Sequence, residues 1–197
     1  TEDEVFSVDD LVARWRIDQV QRAGGKWDRD RLDWFNGVWI RRLSLDELMD
    51  RLSAFVPAEW DRGLLAKALP LIHERMQTLV EARDQIAFFF TDDVTCDPAL
   101  LVQEKDQGKS LRALTRSEAA LGALRTFDAA AAKAALEGVA AELGWKVRPV
   151  TLVVRVAVTG RTVGPPLYES LELLGRERSL TRISRAKDIL GEGPRGA

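Results

Sequence analysis

The sequence predicts an all-α protein built from several helices, and three observations carry that prediction. Apolar residues recur at three- and four-residue spacings, most clearly in Leu65, Leu69, Ile72, Met76, Leu79 and Val80. Helix-start signals stand in front of such stripes: Ser7 precedes two acids, and Ser44-Leu-Asp-Glu47 has the capping-box pattern. The segment with the strongest strand propensity, 147–158, has no partner strand anywhere in the chain. A lone strand cannot satisfy its backbone donors and acceptors.

Each element follows in order. Ser7-Val-Asp-Asp opens a first helix that carries Leu11, Val12 and Trp15. Residues 28–40 carry Leu32, Trp34, Phe35, Trp39 and Ile40 at mixed helical spacings. The helix after Ser44 presents Leu48, Met49 and Leu52, and Pro57 closes it. Residues 62–82 read as one helix interrupted at Pro70, which can open a second helix at its first turn. Phe88, Phe89 and Phe90 form a core plug. Thr91-Asp-Asp-Val-Thr-Cys-Asp-Pro98 is then an acidic turn and the best internal boundary. Beyond it 100–102, 111–124 and 127–143 read as helices, the last alanine-rich and stopped at Gly144.

Residues 147–158 are rich in valine, which favours a strand by propensity. The missing partner strand, a proline at 149 that suits a first turn, and Thr159-Gly160 as a stop make this segment a buried helix instead. Residues 165–174 and 176–190 follow as two short amphipathic helices separated by Gly175. The tail 191–197 is expected to fray.

Composition excludes several functions. The 197 residues, 46% of them hydrophobic, suffice for one domain or two small ones. One cysteine, Cys96, rules out an intrachain disulfide and points to a reducing, cytoplasmic setting. One histidine, His73, and one cysteine cannot build a zinc site of three or four such ligands. No apolar run nears the ~20 residues of a membrane span, and the acidic start TEDEVFSVDD is no signal peptide. Gly108-Lys109-Ser110 resembles the end of a phosphate loop, but Gln103 stands where its partner glycine belongs. His73 has no serine or cysteine beside it and reads as a satisfied histidine, not a general base. Asp92-Asp93 lacks calcium-loop spacing. No catalytic residue, metal ligand or bound cofactor is assigned to the chain.

Charge is uneven. The chain carries a formal −2, yet residues 144–190 hold nine bases against four acids, leaving that segment at +5 and the remainder at −7. A basic end on an acidic body is the asymmetry of local nucleic-acid contact. Arginine outnumbers lysine 22 to 7, and its planar donor fork suits phosphates and base edges. Arg155 stands alone among valines and must be paired, with Glu169 the candidate acid, or line a cavity. Gly164-Pro165-Pro166-Leu167 is a stiff loop at a helix start, open to close approach by a ligand.

Five segments occur in a telling order: Arg31-Leu-Asp-Trp-Phe-Asn-Gly-Val-Trp-Ile-Arg41, Pro70-Leu-Ile-His-Glu-Arg-Met-Gln-Thr-Leu79, Phe88-Phe-Phe-Thr-Asp-Asp93, Arg155-Val-Ala-Val-Thr-Gly160 and Leu167-Tyr-Glu-Ser-Leu-Glu-Leu-Leu-Gly-Arg-Glu-Arg178. Together, over about residues 4–190, they resemble the C-terminal, anticodon-binding half of bacterial glutamyl-tRNA synthetases, a class I family. The resemblance implies an all-α architecture and makes 147–158 helical against its propensity. It likens 1–40 to the end of a stem-contact region, 41–97 and 98–190 to two helical anticodon-binding subdomains, and 191–197 to a disordered tail. The family's catalytic signatures, a two-histidine motif and a lysine-serine-lysine loop, do not occur in the sequence. ATP and Mg would act in a catalytic domain that this sequence lacks.

The resemblance also assigns residues. Arg75 matches an arginine that reads the third anticodon base, with a preference for cytosine and so for tRNA(Glu) over tRNA(Gln), although some members of the family charge both. Arg155 matches an arginine on the middle base. Gly164, Pro165 and Leu167 match the loop that holds the first base through backbone groups; the family often has threonine at the position of Gly164. Asn36 and Arg41 are candidate stem contacts, Asn36 with packing as the alternative, and Trp34 reads as core. A monomer is the family expectation. The rival reading is a helical protein-interaction scaffold with a basic C-terminal face; a hydrolase using His73 is weaker still. A meeting of Arg75 and Arg155 beside 164–167 separates these readings.

Overall fold

A computed structural model describes residues 4–19, 24 and 27–191. Among these the regular structure is helical, apart from one isolated bridge between Gln103 and Asp106. The helices are α1 (Val8–Arg14), α2 (Arg29–Arg42), α3 (Leu45–Leu52), α4 (Arg62–Ala68), α5 (Leu79–Ile86), α6 (Pro98–Leu101), α7 (Gln107–Gly122), α8 (Ala129–Glu142), α9 (Val147–Thr159), α10 (Leu167–Leu174) and α11 (Arg176–Gly191). Short 3-10 turns fill several of the junctions. The expected tail lies, apart from Gly191, outside the described residues.

Side chains start most of these helices. Ser44 with Glu47 forms the capping box the sequence announced, and Ser7, expected as a capping residue, forms a second reciprocal box with Asp10. The hydrogen bonds to serine hold the Asp10 and Glu47 carboxyls below their usual range. Asp28, Asp61, Asp106 and Asp128 each accept from the backbone N–H three residues on, and Asp97 from the one two residues on. The α1 cap forms as expected, but Leu11, Val12 and Trp15 are exposed, so that stripe faces outward.

The segment 62–82 departs from expectation. It is not one helix interrupted at Pro70. Helix α4 stops at Ala68, and 3-10 turns occupy Leu69–Leu71 and His73–Arg75. The backbone then runs extended at Met76 and Thr78 before α5 begins. Pro70 offers no N–H and tightens the first turn. Helix α2 fixes the break: Asn36 Nδ2 donates to the Gln77 carbonyl (2.5 Å), and His73 Nε2 lies 2.9 Å from the Ile40 carbonyl. Gly37 permits this approach, because a Cβ there would sit 3.0 Å from the Met76 carbonyl oxygen. Leu65, Leu69, Ile72 and Met76 are buried as the stripe required, whereas Val80 is 62% exposed.

The buried cluster runs from Ile40 through Phe88 and Phe89 to Leu190. Phe90 stacks on Trp60 with ring centroids 4.0 Å apart. Helices α7 and α11 pack along their lengths through small buried side chains, among them Ala113, Ser117, Ser179 and Ala186. Helix α9 lies at the centre, in contact with α6, α7, α8, α10 and α11. Its valines from Val150 onward are buried, so tertiary packing overrides strand propensity. It ends at Gly160, in the left-handed region at φ 72°, where a Cβ would meet the Thr95 carbonyl oxygen at 2.6 Å.

The basic residues of α11 are fastened to the protein itself. Arg176 donates to the carbonyls of Gly122 and Leu124, at the end of α7. Arg178 donates to those of Phe89 and Thr91 and pairs with Asp92. Arg182, only 3% exposed, donates to Val158 (2.7 Å), Phe88 (2.8 Å) and Thr91 (2.6 Å). Arg185 donates to the Asp92 carbonyl, and Lys187 pairs with Glu118. These cations close carbonyls that helix and turn ends leave without partners. Burial pulls the Arg182 guanidinium down to about 10, so it remains a cation at neutral pH.

Two stability tests follow from this packing. Arg182→Met leaves the three carbonyls without their donor and should cost about 3 kcal/mol or more in urea unfolding. Arg182→Lys keeps the charge but not the fork and should recover only part of that loss. Gly160→Ala adds a backbone clash to left-handed strain and should cost more than about 2 kcal/mol. Gly144→Ala, at φ 61° with nothing within 4 Å of the new Cβ, should cost only the strain, about 1 kcal/mol. Equal midpoint shifts for the two glycine variants would contradict the contact at Thr95.

Candidate nucleic-acid interface

The interface is built on the end of α9 and the start of α10. Val150, Val153, Val154, Val156, Ala157 and Val158 are buried, while Arg148 is exposed and Thr151, Leu152 and Arg155 are half-buried. One stripe of the central helix therefore reaches the surface, and Arg155 stands on it. Thr159 Oγ1 donates to the Arg155 carbonyl (2.8 Å) and accepts the Arg161 N–H (3.2 Å), which fixes the exit from α9. The chain then turns through Gly160 and returns along the helix.

On that return Arg155 Nη1 donates to the Pro165 carbonyl at 2.5 Å. A Cβ on Gly164 would lie 4.0 Å from the same nitrogen, so the guanidinium runs alongside the 164–165 backbone. Of the two alternatives for Arg155, the pairing with Glu169 does not occur among the described residues. Its partner is a carbonyl, and among the described residues neither Arg155 nor Arg75 forms an ion pair. Burial pushes the Arg155 guanidinium below its ordinary value, the like charge of Arg75 pushes it further, and Tyr168 opposes them. Tyr168 itself is raised, chiefly by burial and next by Glu137.

Arg75 is the last residue of the His73–Arg75 turn and is exposed. Its charge is felt at the Arg155 guanidinium, and neither arginine forms an ion pair among the described residues. Beside Arg155, α10 begins at Leu167 after Pro166, and no side chain caps it. The first N–H to bond back within α10 is that of Ser170, to the Pro166 carbonyl, so the earlier N–H groups of this turn are available to an outside acceptor. Pro165 and Leu167 are buried, and the Leu167 side chain is 4% exposed. The arrangement offers planar donor forks and backbone amides to a ligand rich in acceptors.

The structure brings Arg155, Gly164, Pro165 and Leu167 into one region, and the charge of Arg75 reaches Arg155 there. Asn36 and Arg41 stand on α2, which packs against the turn that carries Arg75. The Asn36 amide is engaged with Gln77, and half-buried Arg41 lies over Gly37, where its Nη1 would be 3.1 Å from an added Cβ. Among the described residues no group of three His, Cys, Asp or Glu side chains is arranged to hold a metal ion, and no helix is long and apolar enough to cross a membrane. The open start of α10 is the stiff helix-start loop expected of 164–167, with Pro166 where seven of the helices place a capping Ser or Asp.

Residues 46–187 match the family model of the anticodon binding domain. The chain is 36% identical over 197 residues to the glutamate–tRNA ligase of Roseiflexus sp. and 40% identical over 204 residues to that of Acidothermus cellulolyticus. These matches cover 95% and 96% of the chain but only 39% and 40% of the relatives, so the chain spans about two fifths of their length. The fold is similar to that of a glutamate tRNA ligase from Elizabethkingia meningosepticum, crystallised with its amino acid. The TM-score is 0.76 at 20% identity, over 93% of this chain and 37% of that one.

The contact at Pro165 gives a local test. Arg155→Gln should remove about 1–2 kcal/mol of protection from the loop without unfolding the core. Hydrogen exchange should rise across 161–168 and stay unchanged in α7 and α8. Unchanged exchange across 161–168 would show that Arg155 does not hold the loop.

Proposed function

The chain belongs to the anticodon-binding domain family, and from that membership we propose that it grips tRNA(Glu) by its anticodon as the RNA-reading part of a glutamate–tRNA ligase. The observation that carries this reading is the Arg155 guanidinium, held on the Pro165 carbonyl beside the uncapped start of α10 and within reach of the charge of Arg75. Like charges brought together weaken a fold unless a ligand offsets their repulsion. A protein-interaction scaffold supplies no reason for the pairing.

In this reading Arg75 donates its fork to the third anticodon base, where cytosine presents acceptors and guanine adds a competing amino donor. Arg155, steadied on the Pro165 carbonyl, donates its remaining N–H groups to the middle base. Gly164, Pro165 and Leu167 hold the first base through backbone groups, with Gly164 contributing no side chain. Anticodon bases are open to this readout because an unstacked loop exposes their pairing edges. Asn36 and Arg41 are the stem-side contacts, Asn36 acting with whatever its bond to Gln77 leaves free. tRNA(Gln) is the alternative cargo. Joining glutamate to the tRNA with ATP and Mg belongs to a part of the ligase outside this sequence, and the chain works in the cytoplasm as a monomer.

The test is a competition between anticodon stem-loops that differ only at the third base, at fixed salt. The wild-type chain should prefer cytosine, and Arg75→Gln should shrink the gap, since a good bidentate base contact is worth ~1–3 kcal/mol by analogy with duplex readout. Arg75 is exposed, so the variant should keep its thermal midpoint. An unchanged ratio in Arg75→Gln would reduce Arg75 to a surface arginine.

A further inference from the structure

The α11 cations are consumed by the protein's own carbonyls and carboxylates, which leaves the basic character of 144–190 to Lys146, Arg148, Arg155 and Arg161. Two of these share the exposed stripe of α9. Arg148 and Arg155 are seven positions apart, almost two full turns, so they project from the same side of the helix about 10 Å apart along its axis. Burial agrees: the surface opens at 148, 151, 152 and 155 and closes at 150, 153, 154, 156, 157 and 158. Arg148 is exposed, and among the described residues it forms no ion pair or side-chain hydrogen bond. Thr151 between them turns its hydroxyl back to the Val147 and Arg148 carbonyls. The stripe thus has a cation at each end and a quiet middle.

We propose that Arg148 binds a backbone phosphate of the same RNA strand whose base is held at Arg155, so that the open stripe of α9 is a track for the strand. The proposal rests on the anticodon reading and adds to it a residue that positions the strand without reading its sequence. A phosphate contact of this kind fixes register and carries no base information. Arg155 is tied to Pro165 and cannot slide. Arg148, on a long flexible stem at the opposite end of the stripe, can follow a phosphate.

The experiment measures binding of anticodon stem-loops by fluorescence anisotropy across a salt series. The chains are wild type, Arg148→Gln, Arg155→Gln and Arg51→Gln, the last an exposed arginine on α3 that controls for lost charge. Arg148→Gln should weaken binding several-fold at low salt and reduce the slope of log affinity on log salt by about 0.7. The loss should be the same for every anticodon sequence, with the thermal midpoint unchanged. Arg155→Gln should weaken some anticodons more than others, and Arg51→Gln should leave the slope intact. The proposal is overturned if Arg148→Gln behaves like Arg51→Gln, or if it alters base preference and not the slope. If Arg155→Gln weakens binding while Arg148→Gln does not, the anticodon reading stands and the track falls. A wild-type chain that binds no stem-loop removes both.

Discussion

The buried guanidinium of Arg182 is the constraint on which the rest of the structure depends. It reaches from α11 to the carbonyl of Val158 near the end of α9 and to those of Phe88 and Thr91 in the turn that follows α5. Helix and turn ends leave such carbonyls without partners, and burial makes them costly to abandon. One planar fork satisfies all three. The charge itself is buried without a carboxylate in contact, which is tolerable because its donors meet strong acceptors at 2.6–2.8 Å. Arg178 and Arg185 extend the grip over Phe89, Thr91 and Asp92. The residues on either side of the acidic turn are therefore joined by polar bonds as well as by apolar packing.

The interface hangs from this clamp. Arg182 fixes Val158; Cys96 Sγ donates to the Val156 carbonyl at 3.3 Å, and Gly160 approaches the carbonyl of Thr95. The end of α9 is thus held from two sides, and the loop that leaves it brings the Pro165 carbonyl back to Arg155. The half-buried Cys96 thiol is pushed up by its burial, consistent with a packing role and not a reactive one. On the other flank α2 holds the turn that carries Arg75 through the bonds at Asn36 and His73. Each arginine of the pair is thus aimed by a neighbour that does not belong to the pair.

Charge counting along the chain could not anticipate how the bases are used. The segment 144–190 is basic, but its available cations lie at 146–161 and its structural ones at 176–187. Arg176, Arg178, Arg182, Arg185 and Lys187 hold the fold together. Arg148 and Arg155 face outward from the central helix. In sequence the two sets are indistinguishable, because an arginine that caps a carbonyl and an arginine that awaits a phosphate have the same side chain. Only burial and partner distances separate them.

The sequence by itself determined what depends on neighbours within about one turn: the capping serines at 7 and 44, the box with Glu47, the stop at Gly144, and the positions of most helices. It also marked Arg155, since a lone charge among valines needs a reason wherever it lies. The helical state of 147–158 came from the missing partner strand and from resemblance, against local propensity. Tertiary structure decided the rest. It broke 62–82 at Met76–Thr78, because α2 docks there through bonds 33 and 41 residues distant in sequence. It left Trp15 and Val80 exposed despite their helical spacing, since periodicity gives a face but not what covers it. It gave Arg155 a carbonyl in place of the candidate acid, because backbone acceptors are present at every residue and so leave no mark in a sequence.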